Sequence, residues 1–452
     1  MKILTIIALS LLILSCSKPE SDTAVKDIAS VIDTLIQKKV DSTQMAGAVV
    51  GVFKGNDKIF LKSYGYADLE FEVRMPVDAS FEIGSVTKQF TAAALLQLVE
   101  QGKVNLDDDF TKYVKFDTKG KHITVRQLLN HTSGIKGYTE IPEFGDLMVK
   151  KLDRDTLLRI VEKKDFDFNP GEALIYNNTA FFIAGLVIEK ASGQKYEDYI
   201  GKNLFEKAGM THSYYCSESK ITKTRAHGYD GSPKGLKRAI YLDHQWPFAA
   251  GSICSTVEDL NKWNQALHHG NIISETMYKE FLSPAKLING ATTHYAKGIT
   301  VRKTNGKTML EHGGGIPGFL SENRYFPEED ISIIVLINST TQSPDRIAEL
   351  ITDHLFGKVE ENKIRFVGDL APLSGVYKGR GRGQDLTLTI DHNDTTLTAH
   401  FDTDKAKPLF FCGDSLWRGD IGILNFFGES DRIKEVGVDD VYGYFLLKKE
   451  IQ

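Results

Sequence analysis

The sequence is short of cysteine: four among 452 residues are too few for a disulfide scaffold. It also lacks a dominant charge. The 55 basic and 60 acidic side chains leave a net charge of −5, and no dense basic patch interleaved with aromatics occurs. Nucleic acid is therefore not an expected partner. Long apolar runs are missing as well, because the strongest, Ile3 to Leu14, is too short to span a bilayer comfortably. There is no internal repeat and no low-complexity segment. No motif implies a metal or an organic cofactor. What is present is the composition of a soluble globular protein, 41% apolar and 25% charged. The chain is long enough for two folded units.

The first residues read as a targeting segment, with Lys2 supplying charge ahead of the apolar run. The run ends in Ile13-Leu14-Ser15-Cys16, which resembles a bacterial lipobox. That resemblance implies that residues 1–16 are a lipoprotein signal peptide and that Cys16 becomes the lipidated first residue. Ser17 to Thr23 would be a polar tether. The expected location is the bacterial cell envelope, lipid-anchored to a membrane and facing the periplasm or the cell surface. An ordinary signal peptide with an incidental cysteine is the alternative. Cys216, Cys254 and Cys412 remain, as one pair plus a thiol or as three thiols.

Periodicity predicts an amphipathic helix over Ala24 to Gln37, then a hairpin of Ala48 to Phe53 and Ile59 to Tyr64. A helix begins at Ser85 and stops at Gly102, with Val86, Phe90, Ala94 and Leu98 on one stripe. The middle of the chain is mostly helical, with helices over Val125 to Leu129, Asp155 to Lys163 and Thr179 to Ala191. A second hairpin, Leu320 to Phe326 with Ile331 to Ile337, precedes a closing helix, Ala348 to Phe356. Strands at both ends with helices between them predict an α+β domain over residues 24–360, its sheet assembled from distant segments. Residues 366–452 alternate in the manner of strands. They are expected to form a separate all-β accessory unit, a small barrel or sandwich without catalytic residues.

Chemistry is suggested first by Ser85 and Lys88. Ser85 lies at a helix N-terminus, where unpaired N–H groups favour a developing oxyanion. Lys88, three residues on, shares its face and can reach the hydroxyl. The Ser-x-x-Lys pattern also begins at Ser15, Ser133, Ser192, Ser217 and Ser283. Only at Ser85 does it combine a preceding glycine with an Ala-rich helix. Tyr176 can accept the serine proton and return it to a leaving group, and Asn178 can orient the substrate or Lys88. Of 17 tyrosines, only Tyr176 is followed by asparagine two residues on. Glu311-His312-Gly313-Gly314-Gly315 forms a third stretch, whose glycines let backbone approach a ligand closely. His312 is expected to donate to a substrate carboxylate or to Tyr176. The Gly315 N–H is expected to complete an oxyanion hole with that of Ser85. His131 is expected to hold a turn.

Together, Ser85-x-x-Lys88, Tyr176-x-Asn178 and His312-x-Gly314 resemble the class C β-lactamase group, which includes D-alanyl-D-alanine carboxypeptidases and related serine esterases. Gly65 to Leu69, Ile123 to Gly134, Ala249 to Thr256 and His312 to Phe319 also look like signatures of that group. The likeness covers about Ala24 to Phe356. It implies an antiparallel sheet flanked by helices beside an all-helical subdomain, with the site in the cleft between them. The β-lactamases proper carry Lys-Thr-Gly where this chain has His312-Gly313-Gly314, which is more like the peptidase and esterase branches. The expected protein is an exported serine hydrolase that forms an acyl-enzyme at Ser85. D-Ala-D-Ala carboxypeptidase or D-amino-acid peptidase activity comes first, carboxylesterase or β-lactamase activity second, and a non-catalytic binding module third. Its partners would be a small-molecule or peptide substrate, peptidoglycan included, and a membrane through the lipid anchor.

Overall fold

The computed structural model describes residues 20–42, 44–217, 219–359, 364–393, 395–429 and 431–450. The signal segment and Cys16 lie outside them.

The two ends of the main unit meet in one sheet. Gly47–Lys54 pairs antiparallel with Ile331–Ile337, Ala48 opposite Ile337 and Lys54 opposite Ile331. Both strands are rich in Val and Ile, and almost every residue is buried, so each needs cover on both faces. Period-two alternation divides the load. Ala48, Val50, Val52, Ile333, Val335 and Ile337 pack with Ile32 and Ile36 of helix Glu20–Asp41 and with Ile347 and Ile351 of helix Pro344–Phe356. Val49, Phe53, Ile334 and Leu336 join the opposite core, with Phe90, Leu260 and Trp263. Asp57–Asp68 and Val73–Arg74 extend the sheet on one side. Phe319–Phe326, Lys307–Ile316 and Thr300–Thr304 extend it on the other.

Helix Thr87–Glu100 runs through the second core, buried from Thr87 to Leu98. The single stripe expected from the sequence is therefore replaced by burial on every face. Its polar side chains find partners inside: Thr91 Oγ1 donates to Ala249 O at 2.6 Å, and Gln89 accepts from Trp263 Nε1 at 3.0 Å. Phe90 stacks on Trp263 at 3.9 Å between centroids.

The C-terminal unit is a barrel, not a sandwich. Eight strands from Gly375–Arg380 to Gly443–Lys449 pair in sequence, and the first closes onto the last with Tyr377 opposite Lys449. Closure removes the exposed edges, and Leu388, Leu397, Ala399, Val436, Val438 and Leu447 fill the core. Nor is the barrel detached. Its last strand adds the short strand Leu174–Ile175 as a neighbour, Gly443 opposite Ile175 and Tyr444 opposite Leu174. Leu174, Tyr176, Leu287, Tyr295 and Tyr444 share one apolar cluster across this junction.

Cys216 and Cys254 form a disulfide that closes 38 residues of sequence, and Cys412 is a free, partly exposed thiol.

Candidate active site

Ser85 stands on a short 3-10 turn, Gly84–Val86, one step ahead of the helix that carries Lys88. Gly84 takes φ +50°, and a Cβ there would lie 2.9 Å from Gly315 N. A glycine is needed on both counts: the left-handed backbone and the close approach. The neighbour it meets is strand Lys307–Ile316. Thr300–Thr304 pairs with that strand only as far as Glu311, so the stretch from His312 to Ile316 turns its outer edge toward Ser85. Gly314 is tighter still, since a Cβ there would stand 2.1 Å from Ile83 O. Ser321 Oγ donates to the same carbonyl at 2.8 Å and locks the turn to the sheet.

Lys88 is fully buried. Its Nζ donates to Asn178 Oδ1 at 2.8 Å and to Ala250 O at 2.8 Å, and lies 3.1 Å from Ser85 Oγ. Burial, and after it the Arg382 guanidinium, hold its pKa well below 10.5 against an opposing pull from Glu140. Asn178 opens helix Asn178–Ser192, whose cap Asn177 accepts from Ala180 N–H at 2.9 Å. Its amide Nδ2 donates to Thr139 Oγ1 at 3.1 Å, which aims the carbonyl at Lys88.

Tyr176 follows the strand that joins the barrel, and its N–H donates to Tyr442 O at 2.8 Å. Lys88 Nζ lies 4.7 Å from the centre of its ring. Its hydroxyl is buried and makes no hydrogen bond of standard geometry. Burial raises the phenol pKa above 10, while the Ser85 hydroxyl and Arg382 pull it back. His131 packs against the ring at 4.4 Å and accepts the Asn177 N–H at Nδ1, 3.1 Å. Its φ of +60° shows that it does form a turn, and it also supports the segment that carries Tyr176 and Asn178.

His312 requires a correction. Its Nε2 pairs with the Tyr295 hydroxyl at 2.8 Å, not with Tyr176, whose ring centre is 6.0 Å away. Its Nδ1 donates to Gly313 O at 2.6 Å. Both nitrogens are thus occupied. Burial, then Lys88, bring its pKa down to about 3, so the ring is neutral.

The barrel, expected as a separate accessory unit without catalytic residues, reaches these side chains. Its first hairpin tip carries Arg382, whose Nε donates to Glu140 Oε1 at 2.7 Å. The guanidinium carbon lies 5.2 Å from the centre of the Tyr176 ring and 5.1 Å from that of Tyr442. Arg382, Glu140, Thr139, Tyr295 and Tyr442 were not singled out from the sequence, because nothing local marks them. Ala250 lay within a recognised signature, but its carbonyl gave no sequence signal.

Away from these residues, a cavity of about 610 Å³ is lined by Lys151, Glu197, Tyr214, Tyr215, Asp243 and His244, among others. Among the described residues, Asp68, Glu70 and His227 bring metal-type ligand atoms within 4.8 Å of one another, but Arg238 already pairs with Glu70 at 2.7 Å.

A profile of the Beta-lactamase family matches residues 32–357. The chain belongs to the Beta-lactamase family. The family is one of serine hydrolases. It is similar to Protein flp of Staphylococcus aureus (strain MRSA252), 27% identical over 336 residues, 72% of this chain and 65% of that one. The match thus spans just under two thirds of flp. Penicillin-binding protein 4* of Bacillus subtilis is 28% identical over 350 residues, 72% of this chain and 76% of its own. Among solved structures, the octameric penicillin-binding protein homologue from Pyrococcus abyssi aligns with a TM-score of 0.66 and 24% identity, over 93% of this chain and 100% of that one. That share takes in barrel as well as hydrolase core. A D-amino acid amidase from Ochrobactrum anthropi SV3 aligns with a TM-score of 0.61 and 23% identity, over 74% of this chain and 98% of that one.

Proposed function

We propose that this family member is exported, acylates Ser85, and cleaves D-Ala-D-Ala-type peptides or other D-amino-acid amides. The carrying observation is the Lys88 amine, fully buried and held by Asn178 Oδ1 and Ala250 O while it faces Ser85 Oγ at 3.1 Å. A neutral amine in that setting gives its two protons to the two carbonyls and turns its lone pair to the serine. Lys88 therefore takes the Ser85 proton as Oγ attacks the substrate carbonyl. The oxyanion is held by the N–H groups of Ser85 and Gly315, whose backbones the Gly84 contact keeps together. Tyr176 keeps its proton, because burial raises its pKa, and donates it to the departing amine. The Lys88 ammonium then restores that proton. Water ends the cycle by attacking the acyl-serine: Lys88 takes a proton from the water and returns it to the departing Ser85 Oγ.

The substrate class draws support from the names of similar proteins, a penicillin-binding protein and a D-amino acid amidase. Export to the envelope, with a lipid anchor at Cys16 and peptidoglycan within reach, is supported by the Cys216–Cys254 pair, which suits an oxidising compartment.

The test is a substrate panel on purified protein: a D-Ala-D-Ala peptide, a nitrophenyl ester and a cephalosporin, with intact-mass detection of the adduct. The D-peptide is expected to be turned over fastest, and Ser85→Ala should abolish the adduct. An adduct that survives Ser85→Ala contradicts the nucleophile. Faster turnover of the ester or the cephalosporin contradicts the substrate class.

A further inference from the structure

We propose that Arg382, carried into the site by the barrel, is the residue that binds a free carboxylate on the leaving group of the substrate. The inference deepens the acyl-serine reading above and rests on it.

The hairpin is built to present this side chain. At its base Arg380 lies opposite Asp385 and is held by Asp385 at 2.7 Å and by Asp167 at 3.0 Å. Asp167 in turn accepts from Lys136 at 2.8 Å. The tip is tight: Gly381 N–H donates to Gln384 O at 2.8 Å, and Gly383 has φ +76°. A Cβ on Gly383 would meet Glu140 Cγ at 3.1 Å, so the tip rests directly on the hydrolase core.

Arg382 is oriented but not used up. Glu140 takes only its Nε, and that carboxylate is itself steadied by Thr139 Oγ1 at 2.8 Å. Among the described residues, neither of its terminal nitrogens has a hydrogen-bond partner. The planar group is set over the rings of Tyr176 and Tyr442 with its side chain 27% exposed. A guanidinium whose terminal N–H groups are free and whose plane is fixed by aromatic contact is suited to a carboxylate.

The other cations nearby are committed. His312 is neutral with both nitrogens engaged, Lys136 is on Asp167, and Lys88 is held by Asn178 and Ala250. Arg382 lies on the Tyr176 side, and Tyr176 serves the leaving group. The carboxylate therefore belongs to the departing residue. That selects peptides that release a C-terminal amino acid over amides and esters with neutral leaving groups.

The experiment compares two acyl-D-alanyl-D-alanine peptides that differ only in a free C-terminal carboxylate or a carboxamide. The readout is the ratio of KM for the amide to KM for the acid. A change in rate through Lys88 is common to both substrates and cancels. In the wild type the acid is expected to bind about 10- to 100-fold better, the range for hydrogen bonds to a charged group. Arg382→Ala should bring the ratio close to one, and Arg382→Lys should restore part of it. An unchanged ratio in Arg382→Ala, or a wild type without preference for the acid, overturns the proposal.

A second arm measures protection of Ser85 from a fluorophosphonate by N-acetyl-D-alanine and by its amide, and needs no turnover. Loss of selective protection in Arg382→Ala supports the proposal; retention overturns it. A wild type that takes no label at Ser85 overturns the acyl-serine reading instead, so the two failures are distinct.

Discussion

At the scale of single residues the site is arranged around protonation states. The base form of Lys88 exists above its folded pKa, which lies well below 10.5. Acylation is therefore expected to rise with pH through that depressed value and then level off. Lys88→Ala should slow acylation by about 10²-fold or more, and Lys88→Arg should not rescue it, because arginine stays protonated. With His312 neutral, no pH limb peculiar to anionic substrates is expected from it. A matched acid and methyl ester should share one kcat/KM profile between pH 5 and 8 as far as His312 is concerned. The same residue bears on stability. Its folded pKa, about 3, is below the unfolded value near 6.5, so the unfolded chain binds the proton more readily. The His312 contribution is intact above pH 6.5 and is lost as pH falls, by up to about 1.4 kcal/mol per unit. His312→Gln should flatten the decline in Tm on acidification; a decline as steep as in the wild type contradicts a neutral buried ring.

At the scale of elements the decisive contact is between a turn and a strand. Gly314→Ala would drive a Cβ to 2.1 Å from Ile83 O, where backbone has to move. A destabilisation of about 1–3 kcal/mol is expected from overpacking, with slower acylation as the Ser85 turn shifts. Thermal melts and labelling rates check both, and normal labelling in a folded variant would separate the strand from the oxyanion geometry. Much of this level was legible in the sequence. Both hairpins, the closing helix and helix Val125–Leu129 follow from alternation, turn residues and periodicity, and Thr124 and Gln127 supply a capping box. Strand Lys307–Ile316 was not legible, since a run of three glycines carries no strand pattern of its own. Its pairing with Phe319–Phe326 is set by the sheet. Ser85, Lys88, Tyr176 and Asn178 were singled out because they sit in short motifs. Tyr295, which takes His312, was not, because their partnership crosses 17 residues without a pattern.

At the scale of the whole molecule the barrel packs against the candidate site. Sequence texture changes beyond about Phe366 but carries nothing about docking, which depends on a two-residue strand and on ion pairs between distant segments. Arg382 and Glu140 are 242 positions apart. His294 Nδ1 and Asp439 Oδ1 form a further hydrogen bond across the same boundary. Truncation after Gly357 removes the Tyr442 carbonyl that accepts from Tyr176 and uncovers the Leu174 cluster. The truncated chain is expected to melt at lower temperature and to acylate even a small ester more slowly. Wild-type rates on that ester would show that the barrel does not support Tyr176.

We propose a neutral, buried Lys88 as the group that activates Ser85. Its most direct test is the rate of fluorophosphonate labelling at Ser85, followed by intact mass against pH in the wild type, Lys88→Ala and Lys88→Arg. The expected result is a wild-type rate that climbs through a pKa well under 10.5, and a flat rate lower by about 10²-fold in both variants. Wild-type labelling in Lys88→Arg, or a limb that vanishes only in Tyr176→Phe, would contradict it.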